Sequence, residues 1–140
     1  MTTKLTRPFG KYVHARRAGT LLFLAGQGAR DPETDAYAGL SFDAAGDLTA
    51  HDTAAQSRAV LANIERALAA NGLDRRHLVD VTVFLTDMAE FEAMNGAWAE
   101  FFAECAPPTR TTVAVRGLPG LNFVEMKAVA AFPLDDVTQD

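Results

Sequence analysis

Residues 122–132 constrain the fold more than any other stretch. Read as a strand, they place Val124, Met126, Ala128, Ala130 and Phe132 on one face. Phe123, Val129 and Ala131 line the other face, interrupted by Glu125 and Lys127. Residues 78–85 are rich in Val and Phe and are also apolar on both faces. A strand of this kind belongs inside a sheet that is covered on both sides. The rest of the chain must supply those covers, or a second copy must.

Two helices are available. The first is predicted from about Ala50 to Asn71. There Val60, Leu61, Ile64, Ala67 and Leu68 fall at i, i+1, i+4, i+7 and i+8, which makes one stripe. Thr49 is placed to cap its start, and Gly72 follows as the C′ residue. Asp87 is placed to cap the second helix, with Glu90 as its capping-box partner. Phe91, Met94, Trp98, Phe101, Phe102 and Cys105 form its buried stripe, and Pro107-Pro108 ends it. Asn95 is the one polar residue on that stripe.

Residues 12–17 and 20–25 read as a hairpin turning at Ala18-Gly19. Residues 26–46 read as a long loop, of a length that is often functional. Strands over 110–116 and 122–132, joined around Leu118-Pro119-Gly120, complete the order β-β-α-β-α-β-β. This is an α+β sandwich with its two helices on one face of the sheet. The uncovered face calls for a homo-oligomer with sheets facing inward. A chain of 140 residues suits one domain over 1–140, with a polar arm at 1–10 and a polar tail at 133–140.

Composition narrows the function. With 49% hydrophobic and 22% charged residues, intrinsic disorder is excluded. A net charge of −5 argues against a nucleic-acid partner, which needs a basic surface. Cys105 is the only cysteine, so no internal disulfide forms, which suits a reducing compartment. The start lacks the apolar core of a secretory signal, and no run is long enough to span a bilayer. A cytoplasmic protein with no membrane partner is expected.

His14, His51 and His77 are scattered, and no Cys/His cluster or HExxH pattern exists, so no metal site is expected. There is no Walker loop. Gly26-Gln27-Gly28 lacks the third glycine of a dinucleotide fingerprint and opens no helix, so no cofactor is expected either. Cys105 lies on an apolar stripe and reads as a structural thiol.

Few polar residues remain as candidates. Arg110 opens a strand right after Pro107-Pro108-Thr109. A guanidinium there can grip a carboxylate through two parallel hydrogen bonds, or it can be a solvated edge arginine. Glu125 interrupts an apolar strand. It can hold and deprotonate a water, or it can pair with Lys127 or a cross-sheet arginine. Asn95 reads as a helix-interface amide or a site residue. Tyr12, His14 and Arg16 would share one strand face, with Arg17 on the other. That positive cluster either attracts an anionic ligand or blunts a solvated hairpin edge.

Five segments resemble the RidA/YjgF family of enamine/imine deaminases. They are Leu24-Ala25-Gly26-Gln27, Gln56-Ser57-Arg58-Ala59-Val60-Leu61-Ala62-Asn63-Ile64, Val81-Thr82-Val83-Phe84-Leu85-Thr86-Asp87-Met88, Asn95-Gly96-Ala97-Trp98-Ala99-Glu100-Phe101-Phe102, and Pro108-Thr109-Arg110-Thr111-Thr112-Val113. The resemblance spans about Tyr12 to Phe132. It implies a chorismate-mutase-like homotrimer with sites at subunit interfaces, a small anionic substrate and no cofactor. It also implies that Arg110 binds the substrate carboxylate and that Glu125 positions the hydrolytic water. Tyr12, Gly26 and Asn95 fall on family pocket positions. Thr112 stands where many members carry a reactive cysteine. Ala25 replaces the commoner serine and Gly28-Ala29 replaces Ile-Pro, which alters the pocket entrance.

A closer resemblance is to the 2-aminomuconate deaminase branch. It rests on Gly10-Lys11-Tyr12-Val13-His14-Ala15-Arg16-Arg17-Ala18-Gly19, on an extended loop over 30–47, and on Pro108-Thr109-Arg110-Thr111-Thr112-Val113-Ala114-Val115. It implies hydrolysis of 2-aminomuconate to 4-oxalocrotonate and ammonia, with Arg16, Arg17 or His14 holding the distal carboxylate. The alternatives are a general deaminase of 2-aminoacrylate-type imines, or a ligand-binding trimer without turnover.

Overall fold

The computed structural model describes residues 4–134. The first three residues of the expected arm, and the expected tail beyond Leu134, lie outside the described residues.

Among the described residues seven strands and two α-helices form. They are β1 (Ala15–Ala18), β2 (Leu21–Gln27), β3 (Leu40–Phe42), β4 (Leu48–His51), α1 (Thr53–Ala69), β5 (Leu78–Leu85), α2 (Phe91–Phe101), β6 (Thr109–Ala114) and β7 (Val124–Ala131). Five strands make a mixed sheet in the order β1-β2-β7-β5-β6. Every neighbouring pair is antiparallel except β5 and β6, which run parallel. β7 and β5 hold the interior positions that their two apolar faces require.

Both helices pack on the same face. Val60, Leu61, Ile64, Ala67 and Leu68 of α1 and Met94 of α2 are at most 1% exposed. They meet Leu22 and Leu24 of β2, Val81, Val83 and Leu85 of β5, and Val124, Met126, Ala128 and Ala130 of β7. The opposite face carries Phe23, Phe84, Val113, Val129 and Glu125, which are half-buried or exposed in the single chain.

The ends of the elements correct four expectations. β1 begins at Ala15, so Tyr12 and His14 precede the strand and do not alternate with Arg16. The expected loop over 26–46 contains β3, which pairs with β4 as a separate two-stranded sheet. β4 takes residues assigned above to α1, so Asp52 rather than Thr49 caps that helix by accepting from Ala55 N–H. Thr49 instead donates its hydroxyl to Ser41 O. Gly72 does close α1 as expected. It has φ +75°, and Leu73 N–H reaches back to Leu68 O while Gly72 N–H reaches Ala69 O.

Asp87 caps a single 3₁₀ turn, Met88–Glu90, and α2 follows it. Glu90 does not complete a capping box, because its carboxylate accepts from His51 Nε2 at 2.7 Å. The His51 ring stacks flat on Phe123, 3.7 Å between centroids. α2 ends at Phe101, well before Pro107-Pro108. Phe101 and Phe102 pack edge to face there, and Arg75 lies over Phe101 while pairing with Glu65. Those ring contacts turn the chain before the prolines do.

One buried amide ties the loops to the helix layer. Gln56 of α1 is wholly buried. Its Nε2 donates to Ala38 O and Leu121 O, and its Oε1 accepts from Phe123 N–H at 2.7 Å. Three backbone groups that would otherwise be orphaned are thereby satisfied.

Candidate active site

The site is built around a break in the sheet. β2 and β7 pair regularly to Leu24↔Ala128, and pairing resumes at Gln27↔Met126. Three steps on β2 match two on β7, so a bulge forms at Ala25-Gly26. The bulge turns Gly26 toward Glu125 on the helix-free face. A Cβ at Gly26 would collide with the Glu125 carboxylate and push it from its place, so what favours glycine here is space for that carboxylate rather than φ.

Glu125 is half-buried, and burial pushes its carboxyl above the ordinary glutamate value. Lys127 does not neutralise it, because its Nζ points to Leu24 O at 3.4 Å. Among the described residues no ion pair involves Glu125.

Glu125 faces a cleft of about 240 Å³, lined also by Tyr12, His14, Gly26, Arg30 and Asn122. The arm forms one wall of it through Thr6, Pro8, Phe9 and Gly10. His14 fastens the arm. Gln27 Nε2 lies 3.1 Å from Ala25 O, so it is the donor end of that amide. It therefore donates to His14 Nδ1, also at 3.1 Å, and the ring proton sits on Nε2 and is given to Thr6 O. Both ring nitrogens are thus engaged within the chain. Tyr12 is partly exposed at the mouth, and its hydroxyl accepts from Phe9 N–H. Asn122 holds the entrance by accepting from Ala29 N–H at 2.8 Å and donating to Pro119 O. Asn63 donates to Gly28 O and Arg30 O and fixes the same segment from α1.

Arg110 is elsewhere. In the parallel register it is level with Val81, a core residue, so it points to the helix side of β6. Its guanidinium lies over Trp98, 4.9 Å from the centroid, and over Phe91 at 5.5 Å. The Met94 sulfur is 3.9 Å from one of its nitrogens. Partial burial lowers its pKa from the ordinary value, yet a guanidinium stays charged. Thr112, level with Val83, points the same way. Asn95 is half-buried on the stripe of α2 that carries Phe91 and Trp98.

The candidate residues therefore form two groups on opposite faces. Tyr12, His14, Gly26 and Glu125 meet in the cleft. Arg110, Thr112 and Asn95 gather where β6 meets α2. Arg16 and Arg17 join neither. Arg16 is level with Phe23 on the exposed part of β1. Arg17 lies 3.7 Å over the Phe132 ring and donates to Gly19 O in the hairpin turn. Arg30, Gln27, Asn63 and Asn122 were not singled out from the sequence, although Gln27 and Asn63 fall inside the family-like segments.

Among the described residues no group of three or more His, Cys, Asp or Glu is placed to hold a metal ion. No helix of the described residues is long and apolar enough to cross a membrane.

Comparison with known proteins gives this geometry a context. A family model described as endoribonuclease L-PSP matches residues 2–132. A RutC family protein of Pyrococcus horikoshii is 37% identical over 129 residues, covering 92% of this chain and 93% of its own. The chloroplastic reactive intermediate deaminase A of Arabidopsis thaliana is 32% identical over 130 residues, covering 92% of this chain and 63% of its own. The crystal structure of E. coli TdcF with bound serine superposes with a TM-score of 0.79 at 30% identity, covering 95% of this chain and 97% of that one. The E. coli YjgF gene product superposes with a TM-score of 0.77 at 30% identity, covering 93% and 94%. The two-layer α+β architecture and the matched length agree, and the chain belongs to the RidA/YjgF family.

Proposed function

We propose that the protein hydrolyses the enamines and imines of 2-amino acids to 2-oxo acids and ammonia. The observation that carries this reading is Glu125, a half-buried carboxylate set against a bulge glycine and facing an open cleft. Water adds to the C=N carbon while Glu125 takes its proton. The resulting carbinolamine then collapses, and Glu125 returns the proton to the departing nitrogen. One imine and one water give one ketone and one ammonia. A carboxyl whose proton affinity is raised by burial suits both halves of this exchange.

Arg110 is assigned to the substrate carboxylate, which it would grip through its planar fork. In one chain it faces away from Glu125. A site that uses both therefore takes each from a different copy, and the half-exposed face of the sheet provides the contact between copies. We assign the assembly as a homotrimer, which is what the family resemblance implies. The relative named a reactive intermediate deaminase supports the general imine as substrate. None of the relatives described above is named for 2-aminomuconate, so the wider class is the function proposed.

The test is ammonia release from 2-imino acids made in place by an amino-acid oxidase. The protein should speed release beyond the spontaneous rate, and Glu125→Gln should not. Tight binding of a 2-oxo acid with no acceleration would instead identify a ligand-binding module.

A further inference from the structure

We propose that Arg30 is the specificity residue of the cleft: it takes a second acidic group, so the preferred imino acid is a dicarboxylate. This rests on the deaminase reading and narrows its substrate. Arg30 lines the same cavity as Glu125. Its backbone is held on two sides, by a bridge to Tyr37 and by Asn63 Nδ2 donating to its carbonyl at 2.8 Å. The side chain leaves a fixed point.

Its guanidinium is mostly shielded from water but poorly neutralised. It donates to Arg7 O and lies 4.4 Å from the Phe9 ring centroid, so the arm covers it. Its one ion-pair partner among the described residues is Asp35, at 3.7 Å and with a side chain 66% exposed. A pair that long and that wet contributes little. A guanidinium has five N–H donors in a plane, and the contacts above leave donors for a planar acid.

The two charged groups border one cavity. Gly26, against which Glu125 sits, and Arg30 are four residues apart, at most about 14 Å of backbone. A substrate with its reacting carbon beside Glu125 can place a second acid at Arg30. Two fixed charged contacts would then hold the carbon in line with the water. Arg16 and Arg17 cannot serve this cleft in the same copy, because they lie outside it.

The test compares substrates of matched length. The imines of glutamate and norvaline differ at the distal end, where one has a carboxylate and the other a methyl. We expect the wild type to prefer the glutamate imine by about 10- to 100-fold in kcat/KM, the size of one charge-assisted contact. Arg30→Met should erase that preference through KM, and Arg30→Lys should keep part of it. Equal losses on both imines would overturn the proposal, since an arginine that only fastens the arm would act that way. A wild type without preference would also overturn it, while leaving the deaminase reading intact. Calorimetry with 2-oxoglutarate and 2-oxopentanoate separates the two ideas. Arg30-dependent selectivity without turnover would sink the deaminase reading and retain the role of Arg30.

Discussion

Glu125 and Arg110 face away from each other across β5. Glu125 is level with Phe84 of β5, whereas Arg110 is level with Val81, which faces the helices. Neither side chain can reach round the sheet to the other. Complementation follows from this. Glu125→Gln and Arg110→Ala should each be nearly inactive alone. When the two are unfolded and refolded together, roughly one site in four would join an intact glutamate to the intact arginine of the next copy. Specific activity should recover to about that fraction. No recovery in mixed assemblies would overturn a site shared between copies.

Glu125→Gln also separates catalysis from stability. Loss of the base should lower kcat by about 10²–10⁴-fold. The folded carboxyl has a raised pKa, so between the ordinary and raised values the folded chain binds more protons than the unfolded one. Its stability therefore falls as pH rises through that window. Glutamine removes the cost of ionising a buried acid. The variant should melt higher than the parent at pH 7, and the difference should shrink toward pH 4. A variant that melts lower at both pH values would contradict this.

Gly26→Ala should damage the chemistry more than the fold. The added methyl meets the far end of a flexible carboxylate, which can move aside. A displacement of about 1 Å at the base is enough to cost 10²-fold in kcat. Thermal melting should change little. A variant with full activity would mean that the placement of Glu125 is not critical.

Gln56→Ala should be the most destabilising single change among these. It leaves Ala38 O, Leu121 O and Phe123 N–H without their partner in a wholly buried place. At roughly 1–3 kcal/mol for each unsatisfied group, with partial relief by entering water, a loss of about 3 kcal/mol is expected. Chemical denaturation would measure it. Gln56→Glu should be no better, because a carboxylate has no proton to offer the two carbonyls.

The layers of the fold were legible in the chain because their apolar patterns are long and regular. β5 falls on the expected residues, and the stripe of α1 is buried as its spacing requires. On α2, Met94 and Trp98 are buried and Phe91 and Phe101 half-buried, while Phe102 and Cys105 of the expected stripe lie past the helix end. β3 and β4 were not legible. They are three and four residues long and mostly exposed, too short for their alternation to stand out from a loop. What fixes them is non-local, since Gln56 binds Ala38 O and Asp52 N–H binds Gly39 O. In the site, Glu125 is conspicuous as a charge in an apolar strand, Tyr12 stands beside His14 in the positive cluster, and Gly26 is marked only through resemblance. Arg30 gave no signal, since a cation among Gly, Pro and Asp residues looks like solvent-facing loop. Arg16 and Arg17 stand out in the sequence as a positive cluster in an acidic chain, and alternation from Tyr12 would put Arg16 on the face of Tyr12 and His14. In the structure the strand starts three residues later, and the Arg17 cation rests on Phe132.

A core that lies between two candidate site residues also couples them mechanically. On one side of β5 the segment 26–30 and the arm shape the cavity, and on the other side Phe91, Trp98 and Met94 seat the arginine. The layer of Val, Leu and Met between them is close-packed, and Met94 belongs to it while touching Arg110. Such a layer is stiff and transmits strain. A change of volume in the core beneath the cavity is therefore felt at the arginine, so the two sides of the sheet are tuned together.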